Sequence, residues 1–443
     1  MPENSVARSA FRYSLMLLLS GCALVAAVAG VNALVDPFDM YRLVRIEGFN
    51  AYKPAIYNRV RLHKAFELRR VRPQTIILGT SRSHVGLRCA HEDLTRLDEA
   101  CYNLAYDGAT TQEMFAYLRH AHAIQPLHHV VLGLDSYLLS AAPSFTRPGF
   151  DPLILRDAAT PAWWRAITGD LRLLASLDTL RASIATVLSQ KWPEPSWFAP
   201  DGQRLGEVFF HRDGESFMRD GPRAYFDEID RLEARLQTQA ATPGDARRSP
   251  AAVQPDANGS SFAYIGHIVD FCRAQGIDLR IFISPSHMHQ LEIAAAAGAL
   301  LMIEDGKRAL THLLAEDALL HPFQPPVPLI DFSGYSSITA EALPPVGSHD
   351  EMRYYWDSSH FKELVGDYVL ERLFGVTAAA RDVPGDFGMP LSEDTLASVL
   401  AAQRIAQLAY RQRFPEEVAA LRAMVRSKRD TGAPLISASL AIR

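Results

Sequence analysis

The chain has 443 residues, 48% hydrophobic and 21% charged, the composition of a folded protein with a sizeable core rather than a disordered one. A net charge of −5 and a pI near 6.3 provide no whole-chain field for a polyanion, which argues against nucleic acid as a partner. The length suits one large domain with insertions, or two domains.

From Ser14 to Val35 no residue is charged. At about 1.5 Å per residue this run reaches roughly 30 Å, one bilayer core. Leu19-Ser20-Gly21-Cys22 matches a lipoprotein cleavage box, which would make Cys22 a lipidated terminus. Apolar residues continue well past Cys22, however, and favour an uncleaved transmembrane anchor over residues 1–36. Arg8 and Arg12 precede the run and Arg42, Arg45 and Lys53 follow it, so the charge contrast is small. The expected arrangement is a single-pass inner-membrane protein with a short tail inside and its body in the periplasm. Residues 37–73 form a juxtamembrane segment.

Five short runs rich in β-branched residues predict strands: QTIILG (74–79), ACYNLA (100–105), HHVVLGLD (128–135), DLRIFISP (278–285) and VPLIDFS (327–333). Helical patterns such as TTQEMFAYLRHAHAI and SSFAYIGHIVDFCRAQG lie between them. This alternation predicts a parallel sheet covered by helices on both faces, with strand order 2-1-3-4-5. The sheet domain falls in two parts, 74–138 and 261–376. Between them, 139–260 is a helical insertion containing Trp163, Trp164 and Trp192, and it closes with a flexible loop rich in Pro, Ala, Gly and Ser. Residues 377–443 read as a helical extension broken near Pro415.

The first strand ends in Gly79-Thr80-Ser81-Arg82-Ser83-His84. So many hydroxyls suit a turn, where Ser and Thr bond nearby backbone, but they also suit a reacting group at the carboxyl end of a parallel strand. Near the end of the sheet domain, Asp357 and His360 stand three apart in YYWDSSHF. There Asp357 can orient the imidazole, or serve only as a helix cap. His287 and His289 in SPSHMHQ have the spacing of a metal pair, but the sequence supplies no third ligand and no metal is expected; His287 is retained as a substrate contact. Arg82 can bind an anionic substrate or form an internal ion pair. His128 and His129, which open the third strand, read as structural. Trp163 and Trp164 can stack on sugar rings or pack a helix. Cys89 and Cys101 flank one short segment and can pair in an oxidising periplasm, whereas Cys272 reads as a buried apolar residue.

The order Gly79-Thr80-Ser81 after the first strand, Gly108 in YDGATTQE after the second, a polar residue closing the third, and Asp357-x-x-His360 near the end resembles the SGNH (GDSL-like) hydrolase superfamily. Within it, the resemblance is closest to membrane-anchored alginate O-acetyltransferase-like and DltD-like proteins. It covers the five strands and their loops, about half the chain. It implies a three-layer α/β/α fold with a five-stranded parallel sheet, carrying the anchor and the helical insertion as additions. It further implies Ser81 as nucleophile, His360 as general base and Asp357 as the orienting acid. Backbone N–H groups of Ser81 and Gly108 would receive the oxyanion. The superfamily usually supplies an Asn after the third strand, where this chain has Asp135. A carboxylate cannot donate unless protonated, so Asp135 would orient the loop or bind another donor; Asn103 is the weaker substitute.

The activity so implied is acyl transfer, above all acetyl, onto an envelope or exported polysaccharide through an acyl-Ser81 intermediate, with no cofactor. A multi-pass membrane acyltransferase would serve as donor protein. The same triad also serves an esterase hydrolysing acylated glycans, and a scaffold of a polysaccharide assembly complex is the reading from outside enzymology.

Overall fold

In a computed structural model the chain is described over residues 3–97, 99–140, 144–155, 169–213, 215–240, 259–375 and 383–431. It divides into two compact units, Met1–Arg70 with Pro148–Pro195, and Val71–Arg147 with Ser196–Arg443.

The first unit is organised by helix α1 (Glu3–Val35), whose stretch Arg8–Val35 is long and apolar enough to cross a membrane. Asp36 ends it. With φ at +49° it leaves the helical region, and its carboxylate accepts the backbone N–H groups of Met40 (2.7 Å), Tyr41 (2.9 Å) and Arg42 (2.7 Å), which turns the chain sharply. Near its end α1 carries a fully buried Asn32. The Asn32 amide donates to the carbonyls of Leu174 (2.7 Å) and Ser176 (3.2 Å) and accepts from Ser183 Oγ (2.8 Å). A buried amide must find such partners, and these hold segment 148–195 to α1. Of the stretch read as an insertion, residues 148–195 belong to the unit that contains α1, and residues 139–147 and 196–260 to the unit that contains the sheet. Trp163 and Trp164 lie outside the described residues.

The second unit is mixed α/β. Strands β1 (Thr75–Leu78), β2 (Cys101–Asn103), β3 (His129–Leu134), β4 (Asp278–Ile283) and β5 (Leu329–Asp331) run parallel, and β6 (Met389–Pro390) pairs antiparallel with β5. The order is β2-β1-β3-β4-β5-β6. The five predicted strands thus neighbour one another in the predicted order, but the sheet has six strands. Two residues with no apolar run give no strand pattern, and β6 went unread for that reason. Alternation divides the strand residues between the two faces. Ile77, Val131 and Phe282 join Val365, Val369 and Leu370 of helix α2 (Glu363–Phe374) in one core, while Ile76, Val130 and Ile281 are buried on the opposite side.

Because β1 connects outward to β2 while β3 lies on its other side, the chain parts at the carboxyl ends of β1 and β3 and leaves a crevice there. Ser81 follows β1 and Asp135 follows β3, so both reach it. Across the β2 edge, the Asn103 N–H donates to Asp201 O (2.7 Å). Gly202 makes this approach possible: its φ is +83°, and a Cβ there would sit 2.6 Å from the Tyr102 ring. The predicted C-terminal break is present, with helices α3 (Glu393–Arg413) and α4 (Pro415–Thr431) meeting at Phe414 and Pro415 at the first helical position. Leu421 and Val425 of α4 pack on Ala234, Ile293 and Ala297, which makes this extension part of the sheet unit.

Candidate active site

Ser81 opens a short helix, Ser81–Gly86, directly after β1. Thr80 caps that helix with its hydroxyl, and the tight turn is possible because Gly79 and Gly133 carry no side chain; a Cβ on either would lie 2.3 Å from Ser83 Oγ. From the far end of the chain, the turn before α2 brings His360 Nε2 to 2.9 Å from Ser81 Oγ. His360 Nδ1 lies 2.8 Å from Asp357 Oδ2. Asp357 is completely buried, and its Oδ1 also accepts the backbone N–H groups of Ser359 (2.6 Å) and His360 (2.9 Å). Asp357 does not cap α2, whose N-cap is Lys362; it ties down the turn before that helix and lies against the imidazole Nδ1. With Nδ1–H donating to Asp357, Nε2 is left to accept the Ser81 proton. Phe210 lies against the imidazole at 5.7 Å between ring centres and is itself stacked on Trp356.

Asp135 accepts from Thr80 Oγ1 at 2.6 Å and faces Arg82 Nη1 at 3.4 Å. It therefore steadies the serine turn from beneath and is not placed as a substitute oxyanion donor. Arg82 is buried, and its other terminal nitrogen donates to Gln290 Oε1 (2.6 Å). Burial opposes its charge, but Asp135 and Glu233 outweigh that cost and hold the guanidinium ionised. Burial also raises the Glu233 pKa above the usual carboxylate range, against the pull of Arg82. Gly108 sits in the turn after β2 with φ at +63°, beneath the Arg147 guanidinium, where a Cβ would come within 3.2 Å. Its neighbour Asp107 is paired with Arg204 and lies 3.2 Å from His84 Nδ1. Burial would raise the Asp107 pKa, yet Arg204 and His84 more than offset it and hold the carboxyl well below its ordinary range.

A cavity of about 220 Å³ opens beside Arg82, bounded among others by Tyr137, Glu233, Gln290, Met302 and Ile303. Gln290 connects this cavity to the triad, because its amide donates to Ser359 Oγ, one residue before His360. Glu233 and Arg204 lie in segments without a motif, and Gln290 follows the His287/His289 pair, which drew the attention in that segment; all three are more than 100 positions from Ser81.

The remaining candidates fall elsewhere. His287 does not reach the cavity. It is fully buried, its Nε2 meets Glu341 O at 2.8 Å, its Nδ1 accepts from His289 N, and burial together with His289 drives its pKa well down. The expected substrate contact is therefore corrected to a helix cap. His289 is clamped between Asp230 (2.6 Å) and Glu417 (3.3 Å). Asn103 donates to Ser83 O (2.9 Å) and Leu87 O (2.7 Å), a structural brace behind the serine helix. His128 and His129 both bond Glu99. Cys89 and Cys101 form a disulfide with Cα atoms 5.7 Å apart; Cys22 is exposed, and the buried Cys272 thiol is pushed up to about 12 by desolvation. In the other unit, Asp39, His63 and Glu67 converge, but Arg42 pairs both carboxylates and Arg70 pairs Glu67, so the cluster is an ion-pair network. Compared with known proteins, the chain matches no protein family and no curated protein.

Proposed function

We propose that this chain is a membrane-anchored periplasmic acyltransferase of the SGNH type, moving acetyl or a similar short acyl group onto an envelope or exported polysaccharide. The observation that carries the reading is the unbroken line of contacts Asp357–His360–Ser81, drawn from two ends of the unit and set at the carboxyl edge of the sheet. In this reading, Ser81 Oγ attacks the donor's carbonyl carbon while His360 Nε2 takes its proton. The imidazolium then returns that proton to the departing group as its bond to the acyl carbon breaks, leaving acyl-Ser81. A sugar hydroxyl next attacks the ester carbonyl and yields its proton to His360; the bond from the acyl carbon to Ser81 Oγ breaks, the imidazolium returns the proton to Ser81 Oγ, and the acylated sugar leaves. The turns at Ser81 and Gly108 would stabilise the oxyanion through backbone N–H groups. The cavity beside Arg82 would take part of the donor or acceptor. A multi-pass membrane protein would present the acyl group on the periplasmic side.

Full-length protein in detergent, incubated with a simple acetyl ester and analysed by peptide mass spectrometry, tests this reading. Expected is one acetyl group on the peptide carrying Ser81, lost faster when oligosaccharide is added, with the acetyl recovered on sugar. Acetate as the sole product, unaffected by oligosaccharide, would instead make the protein an esterase. Absence of any acyl-Ser81 under conditions where the protein is folded would leave the scaffold reading.

A further inference from the structure

Helix α5 is the stretch Leu177–Ser189 in the unit that contains α1, and it is amphipathic in the inverted sense. At about 100° per residue, Thr179, Ser183 and Thr186 share one side, and that side is buried. Leu177, Ile184 and Leu188 share the opposite side and are 65%, 54% and 62% exposed. A helix on an aqueous surface arranges these types the other way round. Small and hydroxylated residues facing a neighbouring helix, with leucines turned outward, is the pattern of helices packed in lipid.

The apolar face continues from the anchor. Asn32 of α1 bonds Ser176 O and Ser183 Oγ, so α5 crosses α1 at that level, where Val31 and Leu34 are exposed beside it. If the membrane centre lies midway along Arg8–Val35, Asn32 stands about 16 Å above it at about 1.5 Å per residue, against a hydrocarbon half-thickness of about 15 Å. The crossing therefore falls at the lower edge of the headgroup region. Arg181, its side chain 80% exposed on the leucine face, is paired with the exposed Asp178 one turn back at 3.1 Å and is long enough to carry that ion pair to the headgroup level. Trp192, just beyond α5 and 74% exposed, is of the type that settles at this depth.

We propose that α5 is an interfacial membrane helix, lying in the periplasmic leaflet with Leu177, Ile184 and Leu188 among lipid chains and Arg181 and Trp192 at the headgroups. This inference rests on α1 crossing the membrane. Two labelled proteins separate the two ideas, both full-length and reconstituted in phosphatidylethanolamine and phosphatidylglycerol vesicles. In one, the environment-sensitive dye nitrobenzoxadiazole sits on native Cys22, mid-anchor. In the other it sits on Ile184→Cys in a Cys22→Ala background, with Leu188→Cys as the substitute should that protein fail to fold. Cys272 is buried and Cys89 and Cys101 are bridged, so neither competes for dye.

The expected result at position 184 is blue-shifted emission, quenched more by a doxyl group near the lipid headgroup than by one near the chain end, and little by aqueous iodide. The Cys22 label should show the reverse preference for doxyl depth. If Cys22 is quenched by lipid while position 184 is quenched by iodide, the inference falls and the anchor stands. If position 184 is shielded from both quenchers, protein covers α5 and the lipid assignment is overturned. If neither label meets lipid, the anchor reading fails and the inference with it.

Discussion

Ser81, His360 and Asp357 act in sequence in the proposed reaction, and their losses should reflect that. Ser81→Ala should lower the rate of acyl transfer by roughly 10⁶-fold, His360→Ala by nearly as much, and the double substitution by little more than either. Asp357→Asn should retain more, losing roughly 10⁴-fold, because the imidazole survives but an amide favours the wrong tautomer. Single-turnover acylation measures all four, and equal rates for wild type and Ser81→Ala would dismiss the enzyme reading. Asp135 makes a sharper test. If it merely stood where an oxyanion donor belongs, Asp135→Asn would hold or raise activity. The contacts with Thr80 and Arg82 predict the opposite, a loss of activity together with about 3 kcal/mol of stability in urea denaturation, since Arg82 would lose its nearest counter-charge inside the protein.

At the scale of elements, His289 joins three helices: it sits on Met288–Ala297, with Asp230 of Pro222–Ala240 and Glu417 of α4 on either side. Burial disfavours its charge, but the two carboxylates outweigh burial and raise its pKa to about 9, from about 6.5 when unfolded. A raised folded-state pKa gives stability that is complete below pH 6.5 and lost as pH climbs through about 9. The melting temperature should fall over that window by an amount equivalent to on the order of 3 kcal/mol, and His289→Gln should flatten the fall. An unchanged slope in the variant would remove His289 from the account. The same residue shows what a sequence conceals. The strands are legible because buried parallel strands must be apolar runs, and Ser81, Asp357 and His360 because each stands in a short polar stretch beside an apolar one. The direction in which the rings of His287 and His289 turn depends on helices from residue 222 and residue 415 onward, which no local pattern specifies. Gln290, Glu233 and Arg204 were missed for the same reason: their roles come from packing across the chain.

For the whole molecule, α1 is more than a long apolar helix at the N-terminus. Asn32 satisfies backbone and side-chain groups of segment 148–195, and Lys53 Nζ donates to the carbonyls of Val35 (2.7 Å) and Asp36 (2.8 Å). Protein beginning at residue 37 should therefore self-associate without detergent, and sedimentation velocity should show heterogeneous large species; a monodisperse monomer would contradict that dependence. The sheet itself is closed against the opposite hazard. On one edge β6 ends in Pro390, which has no N–H to offer a further strand, and on the other the Asp201 carbonyl already occupies Asn103 N–H. Neither edge invites a neighbour's backbone, however concentrated the protein. A second copy of the chain is therefore offered side chains at the crevice and the helices rather than a bare strand edge, and strand-to-strand fibre growth has no place to begin.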